Sequence, residues 1–337
     1  MENRYLSQIV FPEIGKEGQE KIRNAKIAVI GCGALGGIIA NNLVRAGVGK
    51  IKIVDRDLVE IGNLQRQILY DEEDVKNRIP KAVAAKKRLE KINSEVKIEA
   101  MVIDVNPENI EELIKDSDIV LDGTDNFETR FIINDACLKN GIPWIYGAVI
   151  GSAGSTMTII PEKTPCLRCM IEQIPHPGSL PTCDTMGVLN TIPSLIASIQ
   201  TTEAFKIILS KESLNKNLII VDLWLNSFEK INIEKKKNCP SCVQKIYPAL
   251  EGEEISHAVT LCGRNAVQIV PKRKISISFE KLKNKLKSLG EVKYNEFVLS
   301  FKNPEYELIV FPDGRTIIKG TTDISIAKSL FARYLGI

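Results

Sequence analysis

The amino-acid sequence predicts an α/β fold, in which a doubly wound, mostly parallel sheet is followed by a small C-terminal α+β domain. Over the first 150 residues, short apolar runs alternate with segments of helical periodicity, as in a parallel sheet covered by helices. A glycine-rich turn joins the first apolar run to the first helical segment, which is typical of doubly wound folds. A polar linker at 245–256 separates the two parts, so we predict domains at 1–248 and 249–337.

The individual elements follow from these periodicities. The first βαβ unit is predicted from KIAVIG at 26–31, a helical stretch that Gly47 ends, and KIKIVD at 50–55. The later elements of this domain are helices at 81–93, 107–115, 127–140 and 187–210 and strands at 96–103, 118–122, 142–149 and 218–227. In the C-terminal domain, Asp313-Gly314 predicts a hairpin turn. The elements predicted there are helices at 279–290 and 324–335, a strand at 297–301 and the hairpin at 306–320.

The bulk composition is that of an ordinary globular protein. Hydrophobic residues make up 44% and charged residues 26% of the chain, and the net charge is only +3. The chain therefore lacks the basic field of nucleic-acid binders, and it has no run of about 18 apolar residues that would span a membrane. No basic segment followed by an apolar core opens the sequence, so we expect a cytoplasmic protein with no nucleic-acid or membrane partner.

The glycine-rich turn reads G-C-G-A-L-G at 31–36, and Asp55 follows 19 residues after Gly36. This spacing, between a strand and a helix, is typical of a Rossmann-like nucleotide site. Glycines let the backbone approach a phosphate at the helix N-terminus, and Asp55 can accept hydrogen bonds from ribose hydroxyls. We therefore predict nucleotide binding rather than a turn that serves only strand–helix packing.

Polar residues beyond this turn indicate which nucleotide is bound. Asn63, Arg66 and Lys81 follow the second strand, and the sequence LDGTDN brings Asp122 and Asp125 to the carboxyl end of a later strand. In a doubly wound sheet, ligands bind at that edge. Two cations and a carboxylate beside a nucleotide predict a triphosphate, with Arg66 and Lys81 on the outer phosphates and Asp125 on Mg²⁺. Solvated surface charge is the alternative for these residues.

The expected chemistry is attack on the α-phosphorus, with pyrophosphate leaving toward Arg66. The chain lacks the G-x-x-x-x-G-K-[ST] loop of P-loop kinases and ATPases. A carboxylate nucleophile, with a pKa of about 3.5, is already ionised at neutral pH and needs no general base. That fits a chain with only two histidines, His176 and His257, neither in a catalytic context. The alternatives are an NAD-dependent oxidoreductase and a non-catalytic zinc-containing scaffold.

The eight cysteines include two C-x-x-C pairs, Cys166 with Cys169 and Cys239 with Cys242. Such pairs predict a tetrahedral, structural zinc site, and reduced thiols without metal are the alternative. Cys183 precedes a predicted helix, where a thiol can have a lowered pKa. Cys183 is therefore a candidate catalytic thiol, with packing as the alternative. The other single cysteines give no such signal, and they are Cys32, Cys137 and Cys262.

Several short motifs follow one another in a specific order between residues 4 and 242. They are RY-x-x-Q (Arg4, Tyr5, Gln8), GCGALG, DRD at 55–57, NLQRQ at 63–67, PKA at 80–82, DGTDN at 122–126, the two C-x-x-C pairs and TCDTMGVL at 182–189. In this order they resemble the E1-like activating enzymes of the ThiF/MoeB/HesA family, relatives of the ubiquitin-activating enzymes. The resemblance implies ATP- and Mg²⁺-dependent adenylation of the C-terminal Gly-Gly carboxylate of a ubiquitin-like sulfur-carrier protein. The thiocarboxylate formed from it would serve thiamine, molybdopterin or tRNA-thiolation pathways.

The resemblance also assigns roles to individual residues. It places ATP on Gly31, Gly33, Ala34, Gly36, Asp55, Asp57, Asn63, Arg66, Lys81, Asp125 and Asn126, with Arg66, Lys81, Asp125 and Cys183 as the catalytic set. It implies a zinc ion on the four paired cysteines, a homodimer and a sulfur donor such as a cysteine desulfurase. One departure is Ser7, because relatives usually carry an arginine there that reaches the ATP of the other subunit. The C-terminal domain has no counterpart in minimal family members, and we hypothesise that it docks the carrier or the sulfur donor.

Overall fold

The computed structural model describes residues 4–175, 183–252, 258–261, 265–271 and 275–335. The chain divides into two compact units, at 1–254 and 255–337. Within the described ranges, no helix is both long enough and apolar enough to cross a membrane.

The first unit is built on an eight-stranded sheet that begins with a parallel core. The core strands are β1 (Lys26–Ile30), β2 (Lys50–Val54), β3 (Lys97–Met101), β4 (Ile119–Asp122) and β5 (Trp144–Ile150). They lie in the order β3-β2-β1-β4-β5, and each adjacent pair runs parallel. Connections leave β1 in opposite directions toward β2 and β4, which opens a crevice at the carboxyl ends of these strands. The predicted doubly wound, mostly parallel fold is confirmed.

Three antiparallel strands extend the sheet beyond β5, namely β6 (Ala153–Ile159), β7 (Leu218–Asp222) and β8 (Ser227–Ile231). The sequence analysis does not predict β6, because AGSTMTI is rich in small polar residues. The strand fits because Gly154 leaves room for Ile196, whose Cγ1 atom would lie 2.5 Å from a Cβ at that position.

The predicted strand at 218–227 is too long, since β7 ends at Asp222. The Oδ1 atom of Asp222 accepts hydrogen bonds from the backbone N–H groups of Trp224 and Leu225, at 2.9 and 3.1 Å. An aspartate that binds the backbone two and three residues ahead turns the chain, and here it sends the chain back into β8.

The helices of this unit are α1 (Leu6–Val10), α2 (Gly15–Asn24), α3 (Ala34–Ala46), α4 (Glu72–Lys76), α5 (Lys81–Ile92), α6 (Ile110–Ile114), α7 (Phe127–Lys139), α8 (Leu167–Met170), α9 (Cys183–Met186) and α10 (Ile192–Ile208). The helix predicted at 187–210 begins at Ile192, and Pro193 lies in its first turn, where no backbone N–H group is needed. Helix α10 packs on α3 and on strands β5 and β6, so the middle of the sheet is buried.

The second unit is a six-stranded antiparallel sheet with two helices, which confirms the small α+β domain. Its strands are β9 (Ala258–Leu261), β10 (Ala266–Ile269), β11 (Glu291–Tyr294), β12 (Leu299–Lys302), β13 (Glu307–Val310) and β14 (Thr316–Lys319), in the order β11-β12-β13-β14-β10-β9. Helices α11 (Phe279–Leu286) and α12 (Ile324–Leu335) pack on this sheet through an apolar core that includes Leu286, Phe301 and Phe331. Gly314, with φ of +83°, forms the predicted turn between β13 and β14.

Candidate nucleotide and metal sites

The glycine loop packs against the end of β4 with almost no free space. Gly31 has φ of +84°, and a Cβ on it would lie 2.7 Å from the carbonyl carbon of Gly123. A Cβ on Gly36 would lie 1.8 Å from the carbonyl oxygen of Gly31. Gly33 differs, because a Cβ there would meet only the side chain of Gln67, at 3.6 Å. Gly31 and Gly36 therefore serve backbone packing, whereas Gly33, at the N-cap of α3, leaves room for a ligand.

These glycines predict a contrast between two substitutions. Gly36→Ala should lower the free energy of unfolding by about 3 kcal/mol, at the upper end of overpacking costs, because the new methyl group meets rigid backbone. Gly33→Ala should keep near-wild-type stability in urea unfolding and weaken ATP binding. Gly62→Ala is the control for stability, since nothing lies within 4 Å of a Cβ at that position. Wild-type stability of the Gly36→Ala variant would refute the packing argument.

Asp55 is hydrogen-bonded to the backbone of the glycine loop. Its Oδ2 atom accepts a hydrogen bond from the backbone N–H of Cys32 at 2.6 Å, and its Oδ1 atom accepts one from the N–H of Asp57 at 2.7 Å. Burial raises the pKa of this carboxyl, and the positive charge of Lys81 acts in the opposite direction. The side chain is thus held beside the loop, at the end of β2, where the predicted ribose would lie.

Lys81 and Asp57 form an ion pair at the same edge of the sheet. Lys81 is buried at the first position of α5, and its Nζ atom lies 3.2 Å from Oδ2 of Asp57. The backbone N–H of Lys81 also donates to the carbonyl oxygen of Asp57, at 2.9 Å. Asp57 therefore fixes the position of a buried cation close to Asp55.

The segment from 61 to 70 covers the glycine loop. Asn63 is buried, and its Oδ1 atom accepts a hydrogen bond from the backbone N–H of Glu60 at 3.1 Å. The Tyr70 hydroxyl donates to the carbonyl oxygen of Cys32 at 2.5 Å, and burial raises the pKa of Tyr70 well above its usual value. Arg66 is only partly buried, and its Nη1 atom donates to the carbonyl oxygen of Gly62 at 2.9 Å. The guanidinium is thus held by one backbone contact at the rim of the crevice.

Gln67 is a site residue that the sequence analysis does not single out. Its side chain is buried beside Gly33, and its Oε1 atom has no hydrogen-bond partner among the residues that the structure describes. A buried acceptor without a donor is costly, so this atom suits a bound group that donates a hydrogen bond. The NLQRQ motif contains Gln67, but nothing in the motif alone indicates that the side chain is buried.

At the end of β4, Asp122 and Arg130 fix the turn that carries Asp125. The Oδ1 atom of Asp122 accepts hydrogen bonds from the backbone N–H and the hydroxyl of Thr124, at 2.9 and 2.7 Å, and its Oδ2 atom accepts one from Nε of Arg130, at 3.1 Å. The Nη2 atom of Arg130 donates to the carbonyl oxygens of Thr124 and Gly147, at 2.6 and 3.1 Å. This buried pair joins β4 to β5, and the sequence analysis does not identify Arg130.

Asp125 itself is exposed and makes no hydrogen bond or ion pair with the described residues. Asn126, the N-cap of α7, accepts a hydrogen bond from the backbone N–H of Thr129 at 2.8 Å, so its side-chain oxygen is used within the protein. The structure therefore brings the glycine loop, Asp55, Asp57, Asn63, Arg66, Lys81 and Asp125 to one edge of the sheet. Their contacts with a nucleotide stay predictions.

The two C-x-x-C pairs meet in a four-cysteine cluster. The Sγ atoms of Cys166 and Cys239 lie 3.5 Å apart, as do those of Cys169 and Cys242, and all four lie within 4.8 Å of one another. None of the four forms a disulfide. Zinc–sulfur bonds of about 2.3 Å in a tetrahedron separate the sulfurs by about 3.8 Å, so this donor set fits a closed Zn²⁺ site.

The remaining cysteines differ in what the structure describes. Cys183 begins the short helix α9, but its side chain lies outside the described residues, as do Cys262, His176 and His257. Cys32 is fully buried in the glycine loop, and burial raises the pKa of its thiol to about 12. Burial likewise raises the pKa of Cys137, on α7, well above its ordinary value.

These pKa values predict which thiols are inert. Near pH 8, a thiol with a pKa of about 12 is about one part in ten thousand thiolate, and the thiolate is the reactive form. Cys32 and Cys137 should therefore stay unmodified when the native protein is treated with iodoacetamide and its peptides are mapped by mass spectrometry. Both should react once the protein is unfolded in denaturant. Alkylation of native Cys32 at the rate of an exposed thiol would contradict the buried placement.

The N-terminal RY-x-x-Q motif is bound to its own chain. Nη1 of Arg4 donates to the carbonyl oxygen of Ile92 at 3.0 Å, and the hydroxyl of Tyr5 accepts a hydrogen bond from Asn93 at 2.9 Å. Nε2 of Gln8 donates to the carbonyl oxygen of Ala46 at 3.0 Å. Ser7, in α1, is exposed. Tyr5 and Gln8 thus fix this segment, and Arg4 is engaged at the end of α5.

Comparisons with known proteins identify the family of the chain. The ThiF family model matches residues 5–241. The chain is 45% identical over 339 residues to the sulfur carrier protein ThiS adenylyltransferase of Bacillus subtilis (strain 168), covering all of both chains. It is 37% identical over 246 residues to a sulfur carrier protein adenylyltransferase of Thermus thermophilus, covering 71% of this chain and 90% of the relative.

A solved structure shares the same fold. The crystal structure of E. coli MccB with AMPCPP and MccA superposes with a TM-score of 0.62 at 25% identity, covering 71% of this chain and 74% of MccB. The family match ends close to the last cysteine of the four-cysteine cluster, so the second unit lies beyond it. The matched segment covers well over half of the sequence, and the chain belongs to the ThiF family.

Proposed function

We propose that this protein is an ATP-dependent adenylyltransferase that activates the C-terminal Gly-Gly carboxylate of a ThiS-type sulfur-carrier protein. The observation that carries the proposal is the convergence of a glycine loop, two cations and an exposed carboxylate at one edge of the sheet. The full-length similarity to a ThiS adenylyltransferase supports a sulfur carrier of that type as the substrate, and it favours thiamine biosynthesis over the molybdopterin and tRNA-thiolation pathways.

In this proposal, the phosphates lie on the N-terminus of α3, above Gly33. Backbone N–H groups and the helix dipole favour a negative charge there. Asp55 accepts hydrogen bonds from the ribose, and the free Oε1 atom of Gln67 accepts one from the nucleotide. Asp125 would hold a Mg²⁺ ion, which would neutralise charge on the polyphosphate.

The reaction is a displacement at the α-phosphorus. A carboxylate oxygen of the carrier forms a bond to phosphorus, the bond between the α-phosphorus and the bridging oxygen breaks, and pyrophosphate leaves with that electron pair. Lys81, held by Asp57, and Arg66, at the rim, stabilise the negative charge on the leaving group. No proton moves in this step, because the nucleophile is already ionised.

The test is ATP–pyrophosphate exchange in the presence of a ThiS-type carrier. Exchange should depend on the carrier and should disappear with a carrier that lacks its two terminal glycines. Intact-mass analysis should then show the adenylated carrier, or the thiocarboxylate once a sulfur donor is added. Tight binding of NAD with no exchange would select the oxidoreductase instead, and zinc binding with no exchange would select the scaffold.

The proposal extends to the metal, the assembly and the surroundings of the enzyme. We propose a structural Zn²⁺ ion on the four-cysteine cluster, because the donor set is all sulfur and closed. We also propose a homodimer, a cytoplasmic location and a cysteine desulfurase as the sulfur donor. In the homodimer, Ser7 cannot supply a charge to the second nucleotide site. Arg4 could replace it only by leaving the carbonyl oxygen of Ile92.

Cys183 completes the proposed catalytic set: its thiolate attacks the carbonyl carbon of the acyl-adenylate, a thioester to the carrier forms, and AMP leaves with the electron pair of the broken C–O bond. Cys183 begins α9, the short helix that precedes α10. A Cys183→Ser variant should keep ATP–pyrophosphate exchange and should lose any covalent adduct seen by intact mass. An adduct that persists in this variant would assign the bond to another residue.

A further inference from the structure

One fully buried carboxylate lies outside the nucleotide crevice and contacts one residue within each of the two C-x-x-C turns. Asp135, on α7, accepts hydrogen bonds on Oδ1 from the Ser241 hydroxyl at 2.6 Å and from Nε of Arg168 at 3.5 Å. Its Oδ2 atom accepts them from Nη2 of Arg168 at 3.2 Å and from the backbone N–H of Ala249 at 3.0 Å. Each oxygen of Asp135, which is fully buried, therefore has two of these protein donors.

The partners of Asp135 lie inside the two cysteine pairs. Arg168 stands between Cys166 and Cys169, and Ser241 stands between Cys239 and Cys242. A single carboxylate thus contacts the middle of each C-x-x-C turn, although paired cysteines of the two turns are 73 residues apart in sequence.

Neighbouring contacts reinforce this arrangement. Asn134, beside Asp135, accepts a hydrogen bond on Oδ1 from the backbone N–H of Leu167 at 3.0 Å. The guanidinium of Arg168 lies over the ring of Phe131, 4.6 Å from its centroid. Helix α7 therefore holds the first turn through three residues on one face, which fixes the direction of its two sulfurs.

The physical consequence concerns the order of events at the metal site. Bringing together two turns that are far apart in sequence costs conformational entropy, which a metal ion would otherwise have to offset on binding. Charge-assisted hydrogen bonds in a buried site are strong and directional. From this geometry we infer that Asp135 is a positioning residue for the metal site. It holds the two turns at ligand distance, so that the ion meets a preformed site. The inference rests on the proposed zinc ion and not on adenylation.

The direct test removes the charge of Asp135 while keeping its shape. In Asp135→Asn, the amide NH₂ group would face Arg168, Ser241 or the N–H of Ala249, all of which donate hydrogen bonds in the present arrangement. Removing an outer partner of a metal site typically weakens metal affinity by about 10–100-fold. We therefore expect zinc transfer from the full-length protein to a chromophoric chelator to become at least about tenfold faster. A release rate equal to that of the wild type would overturn the inference.

A matched variant separates positioning from a general loss of stability. Glu203, on α10, is also a buried carboxylate. It accepts hydrogen bonds from the ammonium group of Lys206, the hydroxyl of Thr158 and the backbone N–H of Asn215. Glu203→Gln should lower the unfolding midpoint to a similar extent and leave zinc release unchanged. Equal acceleration in both variants would overturn the inference.

Two further outcomes are an Asp135→Asn variant that does not fold and a wild-type protein that retains no zinc. If Asp135→Asn does not fold, Ser241→Ala removes a single hydrogen bond from the same carboxylate. It should speed zinc release several-fold, and an unchanged rate would overturn the inference. A wild-type protein that retains no zinc would overturn both the zinc proposal and this inference. Because no ATP or carrier enters the measurement, a failure of the adenylation proposal would leave the result unaffected.

Discussion

Replacing Asp125 by alanine should lower carrier-dependent ATP–pyrophosphate exchange by at least about a hundredfold. The carboxylate is exposed at the nucleotide edge and is held there by the turn that Asp122 and Arg130 fix. Loss of a group that stabilises developing charge costs about 10²–10³ in rate. Arg66→Ala should have a similar effect, because the guanidinium is proposed to stabilise the leaving pyrophosphate. Exchange is measured with labelled pyrophosphate and saturating carrier.

The control for this prediction is a residue near the opposite end of the same strand, β4. Asp116 is an exposed acid just before β4, and Asp116→Ala should leave exchange within about twofold of the wild type, since surface substitutions rarely change stability by more than about 0.5 kcal/mol. All three variants should bind as much zinc as the wild type, which shows that they are folded. Near-normal exchange in Asp125→Ala would rule out the proposed magnesium role.

The second large effect concerns the metal. Cys239→Ser should abolish stoichiometric zinc binding and lower the unfolding midpoint by about 8–16 °C, because each kcal/mol corresponds to about 2–4 °C in a unit of this size. The estimate assumes about 4 kcal/mol, the stabilisation from an ion present at a thousandfold excess over its Kd. The midpoint is followed by circular dichroism, with zinc content measured by atomic absorption.

Chelation supplies the matching control. A strong chelator should lower the midpoint of the wild-type protein to that of Cys239→Ser and should have no further effect on the variant. A variant that loses zinc without losing stability would show that the cluster contributes nothing to the fold. A chelator effect of equal size on both proteins would show that it acts elsewhere.

The central strands of the parallel sheet, which are buried on both faces, could be predicted from the sequence with little error. The apolar runs of β1 and β4 are continuous because parallel strands between helices bury both faces. Strand β6 could not be predicted, because its small residues are selected by the close approach of α10 and not by hydrophobicity. The end of β7 depends on a side-chain contact at Asp222, which also leaves no periodic signal.

Some residues of the candidate sites could be predicted from the sequence and others could not. Motif residues such as Gly31, Asp55 and Lys81 could be predicted because the carboxyl ends of parallel strands meet at one edge. Arg130 and Asp135 could not, because charged residues in an apolar helix resemble solvent-exposed positions when only the sequence is known. Asp135 becomes recognisable as a buried centre only when Ser241, 106 residues away in sequence, folds against it.

The most direct test of the proposed reaction follows the phosphate atoms of ATP. Protein and a Gly-Gly carrier are incubated with ATP labelled at either its α- or its γ-phosphate, and the protein-bound products are separated by size exclusion at low temperature. Attack of the carrier carboxylate at the α-phosphorus predicts that carrier-dependent label is retained from α-labelled ATP, while the γ-label appears only in pyrophosphate. Retention of the γ-label on the carrier, or of neither label, would contradict the mechanism.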